Sequence, residues 1–600
     1  MRTIIFTLCM IFVVSLLFGQ KPEKRLAGLD EELQEVLETW QTPSFAVAVV
    51  EKDKVVYAKG FGYSDYENKV PADANTLYAI GSCSKSFTSA ILGQLRDEGH
   101  VDFDESPRMY IPGLKFYNDE MNTYVTVKDM MCHRTGLARH DWSWYLFPTD
   151  SRDTLMQRME HQEPFTGVRE SWYYNNFMFL LQGVIAEKIT GKTWEDNVRE
   201  RIFKPLGMER SNLSIKELEK SKNAALGYQT KPDGTIEKMD YYRIRAMAPA
   251  GSINSSVNEM TKWVQTWIQG GNFNNESILP EGYVREAMSS QMVVGAGLPG
   301  KDNPDLHMAN YGYGWFLSSY RGHYRVEHGG NIDGFSASTS FFPSDSIGII
   351  VLVNQNGSTV PAVVRNIIVD RMLGLPKIDW SGDLRENYEK GLESQKEGEA
   401  GTESNQKKGT KPSHLLIEYA GTYSHPGYGS FELNYERDSL FANFGEEVNY
   451  VQHYHYDVFE PFSIEDGVID TTRSPVLLTF TSNASGDIDG VTIPMEPTVD
   501  PIKFKRTPKE IEVTAEDLEP YVGEYELAGT TIKVYIKDEN VLYVFVPAQP
   551  EYELVATGDH KFVFKSLDGF SVQFQEAEDG KINAVKFNQP NGIFTATKKE

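Results

Sequence analysis

Residues 44–60, SFAVAVVEKDKVVYAKG, form two β-branched runs on either side of Lys52-Asp53, the pattern of a hairpin. From about residue 84 to 290 the apolar positions recur at helical spacing. In FMFLLQGVIAEKITG (177–191) the stripe runs up to Gly191, which supplies a C-terminal stop. Strand signals resume near Tyr311, and SASTSFFPSDSIGIIVLVNQ (336–355) predicts a second hairpin turning at Pro343-Ser344-Asp345. Strands from both ends of one domain, residues 25–378, thus flank a long helical insert. The economical solution is an α/β (α+β) domain: one antiparallel sheet built from the two ends and packed against helices.

Between 381 and 413 the pattern dissolves into charged, Gly- and Ser-containing sequence almost free of large apolar residues. Such a stretch buries too little surface to offset its ordering entropy, so it reads as a linker. Beyond it, alternating runs such as SFELNY (430–435), TIKVYIK (531–537) and KFVFKS (561–566) predict strands. Tyr419-Ala-Gly-Thr-Tyr423 and Tyr521-Val-Gly-Glu-Tyr525 share the pattern Y-x-G-x-Y, and each opens a run of short strands. The reading is two small all-β modules of barrel or sandwich type, 414–508 and 514–600, with a single larger β domain as the alternative.

Composition narrows the setting. Six hundred residues exceed one hydrophobic core, and 40% hydrophobic residues suit globular domains. A net charge of −26 repels phosphate backbones and anionic headgroups, so nucleic acid is not an expected partner. Arg2 precedes an apolar run from Ile4 to Phe18, short for a membrane span and suited to a signal-peptide core. Cleavage after Gly19 would remove residues 1–19 and make the protein exported, periplasmic or extracellular; an uncleaved anchor is the alternative. Cys9 lies too deep in the run for lipid attachment, and Cys83 and Cys132 are expected as free buried thiols, with a single bridge between them as the alternative.

Three short segments carry candidate chemistry. In Gly81-Ser82-Cys83-Ser84-Lys85 a serine at a helix start has a lysine one turn on, on the same face. A hydroxyl is a weak nucleophile, and such a neighbour activates it. S-x-x-K alone is weak, because Ser404 to Lys407 also matches, and helix capping is the commoner job for such a serine. The second segment is Trp172-Tyr173-Tyr174-Asn175-Asn176, and the third is Glu327-His328-Gly329-Gly330-Asn331 between two strands. Taken singly, Tyr174 reads as a packed aromatic, His328 as a satisfied polar residue and Gly329-Gly330 as a turn.

In order and spacing, however, the chain resembles the serine β-lactamase-like family: class C β-lactamases, D-alanyl-D-alanine carboxypeptidases and related esterases and aminopeptidases. The resemblance covers about residues 30–375 and rests on GSCSK, Y-x-N and H-x-G, with MCHRTGL (131–137), FKPLGM (203–208), AGSINSS (250–256), YGYGW (311–315) and GFSASTSFFP (334–343) between them. Tyr173-x-Asn175 also fits the second motif. The family's tyrosine precedes the glycine of the following helix by nine positions, as Tyr174 precedes Gly183. The resemblance therefore implies Ser82 as acylated nucleophile, Lys85 as its partner and Tyr174 as proton relay. It also implies Asn176 contacting the substrate amide and holding Lys85, His328 and Gly330 lining the substrate strand, and an oxyanion hole from the N–H groups of Ser82 and Asn331. Lysine and tyrosine both titrate near 10 when free, and sequence leaves open which accepts the serine proton.

The third motif departs from the lysine-threonine-glycine of the lactamases. His328 and Gly329 hold a substrate carboxylate less well than an ammonium and a hydroxyl would. The expected substrate is a small molecule or peptide with an ester or amide bond, with a cell-wall D-Ala-D-Ala peptide or a β-lactam as alternatives. A rival of another class is an inactive protein that binds peptides or cell-wall fragments. The β modules resemble the lipocalin-like C-terminal domains of some exported members, which implies a cap over the active site or homo-oligomer formation. No cofactor or metal is expected: His453 and His455 share one side of a strand but lack a third ligand.

Overall fold

The computed structural model describes residues 22–599 except 232, 296–297, 302–304, 306, 402–404, 446, 466, 471–475, 485, 559, 568 and 590. The expected signal segment, with Cys9, lies outside the described residues. Two units partition the chain, residues 1–404 and 405–600.

Among the described residues of the first unit, one sheet contains β1 (Ser44–Glu51), β2 (Lys54–Asp65), β3 (Val70–Pro71), β4 (Met292–Gly295), β5 (Ala309–Tyr311), β6 (Phe316–Tyr320), β7 (His323–Ile332), β8 (Phe335–Phe342) and β9 (Ile347–Val353). Their order is β4-β5-β6-β7-β8-β9-β1-β2-β3. The chain ends meet where β1 pairs antiparallel with β9, Val47 opposite Val351. Both expected hairpins are present, β1 with β2 and β8 with β9.

Every position of β8 and β9 is buried, and so is β1 from Ser44 to Val50. Side chains of a strand alternate between two faces, so both faces of this sheet are covered. Ala46, Ala48 and Val50 point into one cluster with Phe87, Ile91, Leu180, Val184, Trp263 and Val264. Those side chains come from α2 (Lys85–Asp97), α3 (Phe177–Thr190) and α4 (Val257–Ile268), which follow α1 (Leu29–Thr39). Phe45, Val47 and Val49 point the other way, onto Leu33 and Val36 of α1 and onto Val363, Val364 and Ile367 of α5 (Val360–Leu373). The result is a layer of helices on each side of the sheet. At roughly 1.5–3 kcal/mol for each large side chain buried, this double coverage fixes the register of the central strands.

The stretch expected as an unstructured linker differs. It opens with a helix, α6 (Trp380–Gly401). Trp380 and Leu384 pack on the second cluster, and Trp380 Nε1 donates to Asp370 Oδ2 at 2.8 Å. Arg385–Glu389 and Glu386–Lys390 pair one turn apart. Such pairs support a helix that buries little, a contribution that an argument from burial alone omits.

The second unit holds two β-barrels. In the first, eight strands from Gly421–His425 to Ile502–Thr507 close into a ring, and Val468–Ile469 pairs onto its rim. The second is a closed barrel of eight strands from Gly523–Leu527 to Gly592–Lys598, filled by side chains such as Ile532, Val544, Phe562 and Val585. The two Y-x-G-x-Y segments make the same local bond. Tyr423 donates to the Tyr419 carbonyl at 2.6 Å, and Tyr525 to the Tyr521 carbonyl at 2.8 Å. A side chain at the intervening glycine would strike Thr507 O at 2.7 Å in one barrel and Lys598 Cε at 2.7 Å in the other.

Candidate active site

Ser82 stands in a tight turn, Gly81–Ser84, immediately before α2. The turn is strapped from two sides. Ile80 N–H donates to Ile253 O at 2.9 Å, and Ile253 N–H donates to Ser84 Oγ at 3.1 Å. From the sheet, the Cys83 thiol donates to the His328 carbonyl at 3.1 Å. Burial pushes that thiol up to about 12, so it stays a protonated donor. Strand β7 lies backbone against backbone with the turn. A Cβ on Gly330 would fall 2.0 Å from Ile80 O and 3.1 Å from Ser82 N. Gly81 has φ +50°, and a Cβ there would fall 2.9 Å from Asn331 N. Each glycine thus lies against the backbone of the other segment, Gly81 beside Asn331 N and Gly330 beside Ser82 N.

Lys85 is wholly buried. Its Nζ lies 2.7 Å from Asn176 Oδ1, 2.8 Å from Ala250 O and 3.2 Å from Ser82 Oγ. Burial holds the amine well below its ordinary value, with Asp141 opposing that shift and Arg139 adding to it. Tyr174 places its ring 4.7 Å from Lys85 Nζ. Its hydroxyl is buried without a hydrogen-bond partner among the described residues. Burial raises the phenol's pKa; Ser82 lies near enough to oppose this, though not at hydrogen-bonding geometry. Of the alternative pair, Tyr173 also borders the cleft, while its backbone N–H donates to the His133 carbonyl, and Asn175 Nδ2 donates to Ala138 O at 2.5 Å. Tyr174 and Asn176 are the members of the motif beside Lys85.

Sequence reasoning missed Arg139 and Asp141. Asn176 Nδ2 donates to Asp141 Oδ1 at 3.0 Å, and Arg139 Nε donates to Asp141 Oδ2 at 2.8 Å. The Arg139 guanidinium also sits 5.3 Å from the Tyr174 ring centroid. It missed His133 too. That buried ring lies 4.4 Å from the Tyr174 ring, tilted by 36°, and its Nδ1 accepts from Asn175 N–H at 3.1 Å. His133 lies inside MCHRTGL, and Arg139 and Asp141 follow that segment closely, which was the one signal available.

His328 is buried, with Nε2 3.0 Å from the Tyr311 hydroxyl and Nδ1 2.6 Å from Gly329 O. Burial, aided by Lys85, depresses its pKa to about 3. The preceding residue of the strand pairs differently: Glu327 meets Arg325 at 2.8 Å and Arg365 at 2.5 Å. Ser82, Tyr174, Asn176, His328, Gly330 and Asn331 all border one cleft of about 890 Å³. Its walls are aromatic and apolar, with Tyr145, Trp172, Phe316, Ile244 and Met247 among them. Its two arginines, Arg139 and Arg365, are each paired with a carboxylate. Among the described residues no group of three His, Cys, Asp or Glu is placed to hold a metal ion. His453 Nε2 faces Tyr456 O, and His455 Nδ1 accepts from Lys407 N–H.

Known proteins share this architecture. At 26% identity over 456 residues, the chain resembles the unguisins hydrolase ungD of Aspergillus violaceofuscus, across 69% of this chain and 78% of that protein. It is 23% identical over 345 residues to protein flp of Staphylococcus aureus, across 56% of this chain and 65% of flp. The octameric penicillin-binding protein homologue from Pyrococcus abyssi superposes with a TM-score of 0.54 at 22% identity, covering 78% of this chain and 98% of that one, a likeness of fold. A family described only as a domain of unknown function, DUF3471, matches residues 405–506. The Beta-lactamase family model matches residues 29–371, which takes in the two-sided sheet, the Ser82 turn and the cleft beside it. By that match over more than half its length, the chain belongs to the Beta-lactamase family.

Proposed function

We propose that this protein is a serine hydrolase in which the carbonyl of an ester or peptide bond acylates Ser82, with Lys85 taking the serine proton. One observation carries the reading: the set of partners around Lys85 Nζ. Asn176 Oδ1 and Ala250 O can only accept hydrogen bonds. A neutral amine has two N–H groups and one lone pair. The two acceptors use both hydrogens, so the lone pair is left for the Ser82 hydroxyl at 3.2 Å. Burial favours that neutral amine. The Tyr174 phenol is raised and so begins protonated, which suits a proton donor better than a base.

The steps then balance. Ser82 O–H gives its proton to Lys85 Nζ as Oγ bonds to the carbonyl carbon. The oxyanion lies between the N–H groups of Ser82 and Asn331. As the intermediate collapses, the leaving alkoxide or amine takes the Tyr174 proton, and the Lys85 ammonium restores the phenol. Water attacks the acyl-enzyme by the reverse relay.

The substrate reading favours an ester or peptide that needs no carboxylate clamp. His328 is neutral above about pH 3, and both cleft arginines already hold carboxylates. The fungal relative named as a hydrolase supports the reaction class. We further propose export, from the apolar run 4–18 behind Arg2. Secreted protein beginning at Gln20 would support that step, and a retained Met1 would count against it.

The test is fluorophosphonate labelling of wild type and Ser82→Ala, beside a panel of short-chain nitrophenyl esters, peptides and nitrocefin. Labelling and turnover should vanish in the variant. Full labelling of Ser82→Ala would show the nucleophile misassigned. Tight peptide binding without any turnover would favour a silent binding protein.

A further inference from the structure

The relay above leaves Asp141 without a role, and its geometry supplies one. Oδ1 accepts from Asn176 Nδ2 at 3.0 Å and from Trp144 Nε1 at 3.0 Å. Oδ2 accepts from Arg139 Nε at 2.8 Å and Arg139 Nη2 at 2.5 Å. The amide nitrogen of Asn176 is therefore anchored, and its oxygen is the atom left to face Lys85 at 2.7 Å. Turned by half a rotation, the amide would set N–H groups against the amine and an oxygen against the carboxylate. The first contact would draw the lysine lone pair away from Ser82, and the second is repulsive.

We propose that Asp141 is a positioning residue: it holds the Asn176 amide with its oxygen toward Lys85, and so directs the lysine lone pair at Ser82. The inference rests on the serine-hydrolase reading of this cleft.

The segment that carries Asp141 is built to hold it there. The Arg158 guanidinium donates to the carbonyls of Ser143 and Phe147, the latter at 2.8 Å. Gln162 Nε2 donates to Ser143 Oγ at 3.0 Å, and the Tyr242 hydroxyl donates to the Trp144 carbonyl. No ion pair to Arg158 occurs among the described residues, and burial lowers it to about 10. Its guanidinium is used to fix backbone, which points to a loop whose shape matters.

The electrostatics offer a way to read the role. Around Lys85 the titratable and charged groups are Cys83, His133, Arg139, Asp141, Tyr174 and His328. Burial keeps Cys83 and Tyr174 protonated and both histidines neutral. Near neutral pH the charges acting on the amine are therefore those of Asp141, which favours the ammonium, and Arg139, which disfavours it.

The experiment measures fluorophosphonate labelling rate against pH for wild type, Ser82→Ala, Asp141→Asn and Asp141→Ala. Asparagine can still accept from Asn176 and Trp144 but lacks the charge. It should keep the plateau rate within a few-fold while its acid limb moves to lower pH, because the ammonium has lost its carboxylate. Alanine frees the Asn176 amide and should lower the plateau on the order of 10- to 100-fold. Wild-type rates in Asp141→Ala would overturn the proposal. So would equal plateau losses in both Asp141 variants with an unmoved limb, the mark of a purely structural contact. Should near-UV circular dichroism show Asp141→Ala unfolded, the Asp141→Asn limb decides: a shift supports the role, and no shift overturns it. Undiminished labelling of Ser82→Ala would instead remove the hydrolase reading itself.

Discussion

The Tyr311 hydroxyl lies 3.0 Å from His328 Nε2. The other nitrogen, Nδ1, lies 2.6 Å from the Gly329 carbonyl, which can only accept. The neutral imidazole is thus the Nδ1–H tautomer, and its remaining lone pair is taken by Tyr311. Where the lactamase pattern has a cation beside the cleft, this chain has a ring whose two nitrogens are both engaged within the protein.

Tyr311→Phe should therefore cost stability without adding any charge. It leaves Nε2 as a buried acceptor with no partner, a loss of about 1–3 kcal/mol. Urea denaturation measures it. An unchanged midpoint would mean that the Tyr311–His328 bond contributes nothing.

The buried histidines also predict how stability follows pH. His133 and His328 both have folded pKa values below the ordinary 6.5, chiefly through burial, His328 at about 3. As pH falls below 6.5 the unfolded chain binds protons that the folded protein refuses. Their contribution is full above that pH and is lost on acidification, at a slope approaching 1.4 kcal/mol per pH unit for each histidine, roughly. Comparing wild type with His328→Gln at pH 7 and pH 4.5 isolates one of them. The variant should lose less stability between the two values, and identical losses would show that His328 is already protonated in the folded state.

The paired barrels predict paired effects. Tyr423→Phe and Tyr525→Phe each remove a bond to the carbonyl four residues back. Each should cost about 1–2 kcal/mol in the full-length chain, read by scanning calorimetry. A large effect in one barrel and none in the other would argue that the shared Y-x-G-x-Y pattern is not a shared structural device.

Much of this was legible from residues alone, because short-range rules governed it. Ser82 and Lys85 meet since three positions make nearly one helical turn, and Y-x-G-x-Y repeats because the same local bond forms where each barrel begins. The partners of these residues were not legible. Ala250 approaches Lys85 through its carbonyl, which any residue would provide, so side-chain identity carries no trace of it. Asp141 meets Asn176 from 35 positions away, in a loop without periodicity. Tyr311 reads as a core aromatic until its hydroxyl is seen facing His328. The helix α6 was hidden for another reason: its support is charge pairing along its own length, with little burial behind it.

Two adjacent glycines give the sharpest test of how the nucleophile is held. In β7 the residues Gly329 and Gly330 alternate faces, and only one of them faces the Ser82 turn. A Cβ on Gly330 would meet Ile80 O at 2.0 Å, an approach that backbone on both sides cannot relieve by a rotamer change. A Cβ on Gly329 would meet only Ala337 O, at an ordinary 3.7 Å. Gly330→Ala must therefore push the turn and the strand apart, and with them the Ser82 and Asn331 amides proposed to hold the oxyanion. Misplacing such donors by about 1 Å is worth on the order of 100-fold in rate. Gly329→Ala, one position away in the same motif, should retain acylation within a few-fold. Fluorophosphonate labelling rates of the two variants, measured side by side, check it. Equal losses in both would mean that the motif tolerates no side chain at either position for reasons of local backbone freedom, and that the contact with Ile80 is not what holds Ser82 in place.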